Sequence, residues 1–158
     1  MTDIVYQDLD SRQIYVIGNQ SMIKLANANV LLHGLGALGV EVAKNLVLAG
    51  VGSLTLIDNK KASLNDLGNQ FYIGNQSITN NLTRCEASFD QLKNLNPYVK
   101  LTARNDDLAS MNPNELENLL KRFNNVIITD LNDLPLLVRI NEICHANQIR
   151  FQFGDVFG

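Results

Sequence analysis

The stretch VLLHGLGALGVEVAKNLVLAGVGSLTLID, residues 30–58, decides the fold. Val30, Leu31 and Leu32 form a short apolar run with strand character, the glycines Gly34, Gly36 and Gly39 follow as GLGALG, and residues 40–49 open a helical pattern. Residues 54–57 return to a β-rich run that ends at Asp58. Strand, glycine turn, helix and strand in that order describe a βαβ unit of the kind that cradles a nucleotide. The three glycines are expected to do different things, with a tight turn at Gly34, close approach of backbone to phosphate at Gly36, and close helix–strand contact at Gly39. Free N–H groups at the helix start face phosphate in such a unit. Asp58, 19 residues beyond Gly39, lies where a carboxylate reaches a ribose hydroxyl.

Working outward, residues 10–25 carry Ile14, Ile17, Met22 and Leu25 at helical spacing around Gly18, which predicts two short helices joined at that glycine. After Asp58, residues 59–74 are rich in Asn, Asp, Lys and Gly and read as a long loop anchored by Phe71, Tyr72 and Ile73. A helix capped at Thr79 or Asn80 is expected to run to about Leu95, with Leu82, Cys85, Phe89 and Leu92 on its buried face and Asn96–Pro97 as its stop. Strands over 99–103, 125–129 and 149–153 alternate with helices over 114–123 and 136–147. The order predicts an α/β fold: a Rossmann-like, doubly wound, mostly parallel sheet with helices on both faces.

At 158 residues the chain fits one domain. With 46% hydrophobic and 18% charged residues and a net charge of −3, it has no basic cluster suited to nucleic acid or an acidic membrane surface. No apolar run approaches the roughly 20 residues of a membrane span, and the chain opens on no signal-peptide pattern. Cys85 and Cys144 fit no zinc spacing and are expected as reduced, buried thiols, so no metal site is predicted on this chain and the compartment is read as cytoplasmic and nuclear. His33 reads as a partly buried histidine paired to backbone, and His145 as a near-surface helix residue. A dehydrogenase is permitted by the glycines and Asp58, but no acid or base for hydride transfer follows.

The strings DLDSRQIYVIG (8–18), residues 30–58, DLGNQFYI (66–73), LNPYV (95–99) and NEICHANQIRF (141–151) occur in one collinear order. Together they resemble the adenylating half-domains of ubiquitin-activating enzymes, the ThiF-type fold, over nearly the whole chain from Asp8 to Gly158. Enzymes of that class pair two related halves: one binds ATP and adenylates the terminal glycine of a ubiquitin-like protein, and the other is its non-catalytic partner. In an active half the resemblance implies GxGGxG, SNLNRQF, a lysine in the following helix and ALDN after the fourth strand. Here Asp58 is kept, Asn69 falls where the loop arginine is expected, Leu82 (or, with the helix shifted, Asn80 or Asn81) where the lysine is expected, and Asn132 where the ALDN acid is expected to help hold Mg²⁺, with Asp130 and Asp133 as the carboxylates that could substitute for it.

The resemblance therefore implies that residues 1–158 are an inactive adenylation half, the N-terminal fragment of a longer protein, with Gly34, Gly36, Gly39 and Asp58 as a vestigial nucleotide site and no cofactor bound by the fragment. Its N-terminal segment, residues 8–25, carries Arg12 in an SRQ run. The resemblance makes Arg12 an arginine finger supplied in trans to the ATP phosphates of the active half, the bland alternative being a pair with Asp8 or Asp10. The helix over 40–48 and the loop at 71–73 are the candidate contacts to that half. The full enzyme would use ATP and Mg²⁺ and engage ubiquitin or a ubiquitin-like protein and a conjugating enzyme, with neither nucleic acid nor membrane as a partner. Two alternatives stand beside this expectation: the small subunit of the SUMO-activating heterodimer, and an active homodimeric ThiF-type adenylyltransferase like those of thiamine and molybdopterin synthesis.

Overall fold

The structure, a computed structural model, describes residues 11–156. Its centre is the strand β1, Asn29–His33, which pairs in parallel with β2, Ser53–Ile57, on one side and with β4, Asn125–Ile128, on the other. The strands β3, Lys100–Arg104, and β5, Arg150–Phe153, complete a five-stranded parallel sheet in the order β3-β2-β1-β4-β5. Side chains alternate across β1: Val30 and Leu32 join the core on one face and Leu31 the core on the other. A strand buried on both faces needs an unbroken apolar run, which is why VLL carries no polar residue.

One face is covered by α3, Ala37–Ala49, and α5, Arg84–Leu95, which bury Val40, Ala43, Val47, Cys85 and Leu92. The other is covered by α6, Pro113–Leu120, and α7, Leu134–Ala146, through Leu116, Leu120, Leu137, Ile140 and Cys144. The predicted pair of N-terminal helices is present as α1, Ser11–Ile17, and α2, Asn19–Ala26, with Gly18 between them. Thus the doubly wound architecture expected from the sequence is the one observed.

Two expectations change. Residues 59–74 are not a featureless loop: they hold a 3-10 turn, Leu64–Gly68, closed by a capping box in which Ser63 and Asp66 bond reciprocally, and Lys61 bridges to Thr83. The helix expected from Thr79 to Leu95 is instead two elements, α4, Asn75–Thr79, and α5, broken at Asn81, whose φ of 53° is left-handed. The cap of α5 is Thr83, whose hydroxyl accepts from Glu86 N at 3.1 Å while the Glu86 carboxylate accepts from Thr83 N at 2.7 Å. Leu82 therefore precedes α5 rather than lying on its buried face, and Ser88 is buried there instead. The inner side of α3 is likewise core, since Val40 and Val47 are buried against the sheet, so only its outer residues such as Leu48 remain for a contact with another half.

The packing sets three measurable outcomes. A methyl added at Gly39 would collide with the Gly34 carbonyl and crowd Thr129 Oγ1, whereas one at Gly68 meets nothing within 4 Å; urea unfolding should show Gly39→Ala destabilised by about 1–3 kcal/mol or more and Gly68→Ala little changed. Thr83→Ala removes the cap of α5 and should cost about 1 kcal/mol in the same assay. Burial pushes both the Cys85 and Cys144 thiols up to about 11, so an aromatic disulfide reagent at pH 8 should label neither until the chain is unfolded.

Candidate functional site

The glycine turn is built at the C-terminal end of β1 by three close approaches. Gly34 adopts φ 88°, and a side chain there would strike the carbonyl of Thr129 at the end of β4. Thr129 in turn donates its hydroxyl to the Gly34 carbonyl at 2.9 Å, and Gly39 lies against that same carbonyl from the first turn of α3. Gly36 alone of the three faces outward, and it is the N-cap of α3, whose amides no side chain caps. Gly34 thus makes the tight turn and Gly39 the close helix–strand contact, while the uncapped helix start lies at Gly36.

Asp58 is 2% exposed at the end of β2, and its two oxygens are taken by backbone: Oδ2 accepts from Leu35 N at 2.7 Å and Oδ1 from Lys60 N at 2.8 Å. Placed where a ribose-binding acid is expected, it ties the glycine turn to the crossover segment. Gln70, wholly buried, makes a second tie: its amide donates to the Leu35 carbonyl at 3.2 Å and to Ser88 Oγ at 2.7 Å, while its oxygen accepts from Tyr72 N.

The side chains nearest Gly36 are Arg84 and Asp130. Arg84, the first residue of α5, sends Nη2 to Asp66 Oδ1 at 2.7 Å and Nη1 to Asp130 Oδ2 at 2.5 Å. Lys60 Nζ reaches the same Asp130 Oδ2 at 3.1 Å. Burial, the largest single influence, disfavours the charge on both Arg84 and Asp66; their hydrogen bond, their mutual attraction, the Ser63 hydrogen bonds to Asp66 and the nearby charges of Asp58 and Asp130 on Arg84 together outweigh it, so Arg84 is held above its ordinary range and Asp66 below the usual carboxylate range. Burial likewise depresses His33, against the opposing pull of Asp58 and the Thr129 carbonyl, which lies 3.4 Å from His33 Nδ1.

Of the residues expected here, Gly34, Gly36, Gly39 and Asp58 come together. Asn69 closes the 3-10 turn as an exposed cap. Leu82 and Asn132 are not the groups nearest Gly36: Arg84, two residues past Leu82, and Asp130, two before Asn132, place a cation and a carboxylate there. Asn132 is exposed, and Asp133 caps α7 by accepting from Leu136 N. Arg12 is exposed on α1, while Asp8 and Asp10, the partners of its bland alternative, lie outside the described residues. An open cleft of about 480 Å³ between Arg104 at the end of β3 and Arg122 after α6 contains none of the expected site residues. Among the described residues no three His, Cys, Asp or Glu side chains gather as a metal cage, and none of the helices is long and apolar enough to cross a membrane.

A model of the ThiF family matches residues 10–158. Ubiquitin-like modifier-activating enzyme 6 of Mus musculus is 39% identical over 152 residues, covering 95% of this chain and 14% of that protein. SUMO-activating enzyme subunit 1 of Rattus norvegicus is 38% identical over 147 residues, covering 93% of this chain and 40% of that one. Among solved structures, the E. coli tRNA N6-threonylcarbamoyladenosine dehydratase TcdA, in complex with AMP, aligns with a TM-score of 0.80 at 18% identity over 97% of this chain and 60% of that one, a likeness of fold. The chain therefore spans between 14% and 40% of the length of these two curated relatives. Sheet order, glycine turn and sequence agree, and the chain belongs to the ThiF family.

Proposed function

We propose that this chain is the non-catalytic adenylation half of a ubiquitin-type activating enzyme, which pairs with an active half and contributes Arg12 to the ATP phosphates held there. The observation that carries the reading is the engagement of Arg84. The cation nearest the glycine turn has its two terminal guanidinium nitrogens bound to its own carboxylates, Asp66 and Asp130, while its buried Nε makes no hydrogen bond among the described residues, and Asn69 offers no second charge. A triphosphate needs unpaired cations to offset charge that grows on its oxygens. As they stand, the residues at this turn do not fit a magnesium triphosphate: Arg84 and Lys60 are paired from within to Asp66 and Asp130.

In this reading ATP and Mg²⁺ belong to the active half, and the present half supplies shape and one guanidinium. Arg12 is suited to that part, being exposed on a helix that also exposes Tyr15 and Val16, an apolar surface fit for a partner domain. Leu48 and Phe71 are the exposed apolar residues that the helix over 40–48 and the loop at 71–73 leave to the same contact. The modifier is a ubiquitin-like protein; ubiquitin is the first to test, on the strength of the SRQIYVIG and DLGNQFYI segments, with SUMO as the alternative suggested by GDVFG at residues 154–158. A conjugating enzyme would receive the modifier from the full protein, in cytoplasm and nucleus.

One observation favours a second reading. Arg84 and Asp130 are a cation and an acid in the pocket, the types an active, homodimeric adenylyltransferase would use. Pyrophosphate exchange separates the two. In the full-length enzyme paired with its active half, Arg12→Ala should lower ATP–pyrophosphate exchange by roughly a hundredfold or more without weakening binding of the modifier. Exchange unchanged by Arg12→Ala would remove the arginine from the chemistry, and exchange by residues 1–158 alone would establish the homodimer.

A further inference from the structure

Asp130 stands in unusual company for a structural carboxylate. Its Oδ2 is shared by Arg84 Nη1 and Lys60 Nζ, and Lys60 Nζ also donates to the Asp130 backbone carbonyl at 3.1 Å. The same oxygen lies 3.4 Å from where a side chain of Gly36 would begin, against a helix whose first turn holds no acidic residue and receives no side-chain cap. Asp130 reaches this position from a left-handed backbone, φ 55°, a conformation that costs a non-glycine residue about 1 kcal/mol and that the surroundings must offset. Two cations converging on one anionic oxygen beside a glycine turn is the set of contacts a polyphosphate oxygen makes.

We propose that Asp130 is a built-in occupant of the anion cradle: its carboxylate takes the position of a phosphate, pairs with Arg84 Nη1 and Lys60 Nζ from within, and keeps this half closed to polyphosphate. The cradle is intact beneath it. Removing the carboxylate leaves Arg84 with one acidic partner, Asp66, and Lys60 with none of the ion pairs seen here, so that a polyphosphate anion can bridge them at Gly36. This inference rests on the reading of the chain as the half that does not hold nucleotide.

The probe is inorganic tripolyphosphate, titrated calorimetrically without magnesium into the full chain and into Asp130→Ala and Asp130→Asn, with circular dichroism and melting as controls for folding. Asparagine tolerates the left-handed backbone well, so the second variant keeps the turn even where alanine disturbs it. Both variants should bind at least tenfold more tightly than the unmodified chain, and adding Lys60→Ala to Asp130→Asn should reverse most of the gain. Folded variants that bind no better than a silent unmodified chain would overturn the role of Asp130 and leave the non-catalytic reading standing. Tight binding by the unmodified chain would overturn both.

Discussion

The fold hangs on a buried carboxylate. Asp58 ends β2, and through Leu35 N and Lys60 N it fastens the exit of β1 to the exit of β2. A buried carboxylate accepting two amide hydrogens is tolerable because each bond is charge-assisted, and the loss of either would leave a desolvated anion costing several kcal/mol. Since β1 is the strand on which both flanking ladders are built, the position of its outgoing turn governs where α3 begins and which face of the sheet it covers. Glycine at 34 and 39 lets the turn close, and Asp58 keeps it closed.

Much of this is legible in the sequence because it is local. An apolar triplet, three glycines at fixed spacing and an acid at the next strand end are sequence neighbours whose geometry follows from backbone sterics. Alternating burial gives the strands, and the order of elements gives the parallel sheet. The signature Thr83-Arg84-Cys85-Glu86 is equally local and marks the true start of α5; helical spacing of Leu82 with the residues after it points past that signature and extends the helix too far back. The interior of the crossover is hidden because its 3-10 turn is held by Ser63 and Asp66 rather than by any periodic apolar pattern.

The charges at the turn are not legible in the same way. Arg84 and Asp130 are 46 residues apart and meet only because β4 lies beside β1 while α5 packs on the other layer, a juxtaposition no spacing rule contains. Counting along a motif assigns the lysine to Leu82 and the acid to Asn132, each two residues from the charged group, because turn lengths before a helix and after a strand set the register there. The pocket consequently holds Arg84, a cation that motif counting does not find, and Asp130, which it offers only as a substitute for Asn132. In the structure the two are paired with each other.

Gln70 belongs beside Asp58 for a different reason. Its amide joins the turn at Leu35, the helix α5 at Ser88 and its own segment at Tyr72, while the very next residue, Phe71, stands 54% exposed with Lys44 over its ring. One peptide bond thus separates the outer surface from the hinge pin of the interior. Any molecule that leaned on Phe71 would press directly on the amide holding the glycine turn, giving a neighbouring domain a mechanical lever on the cradle without touching it.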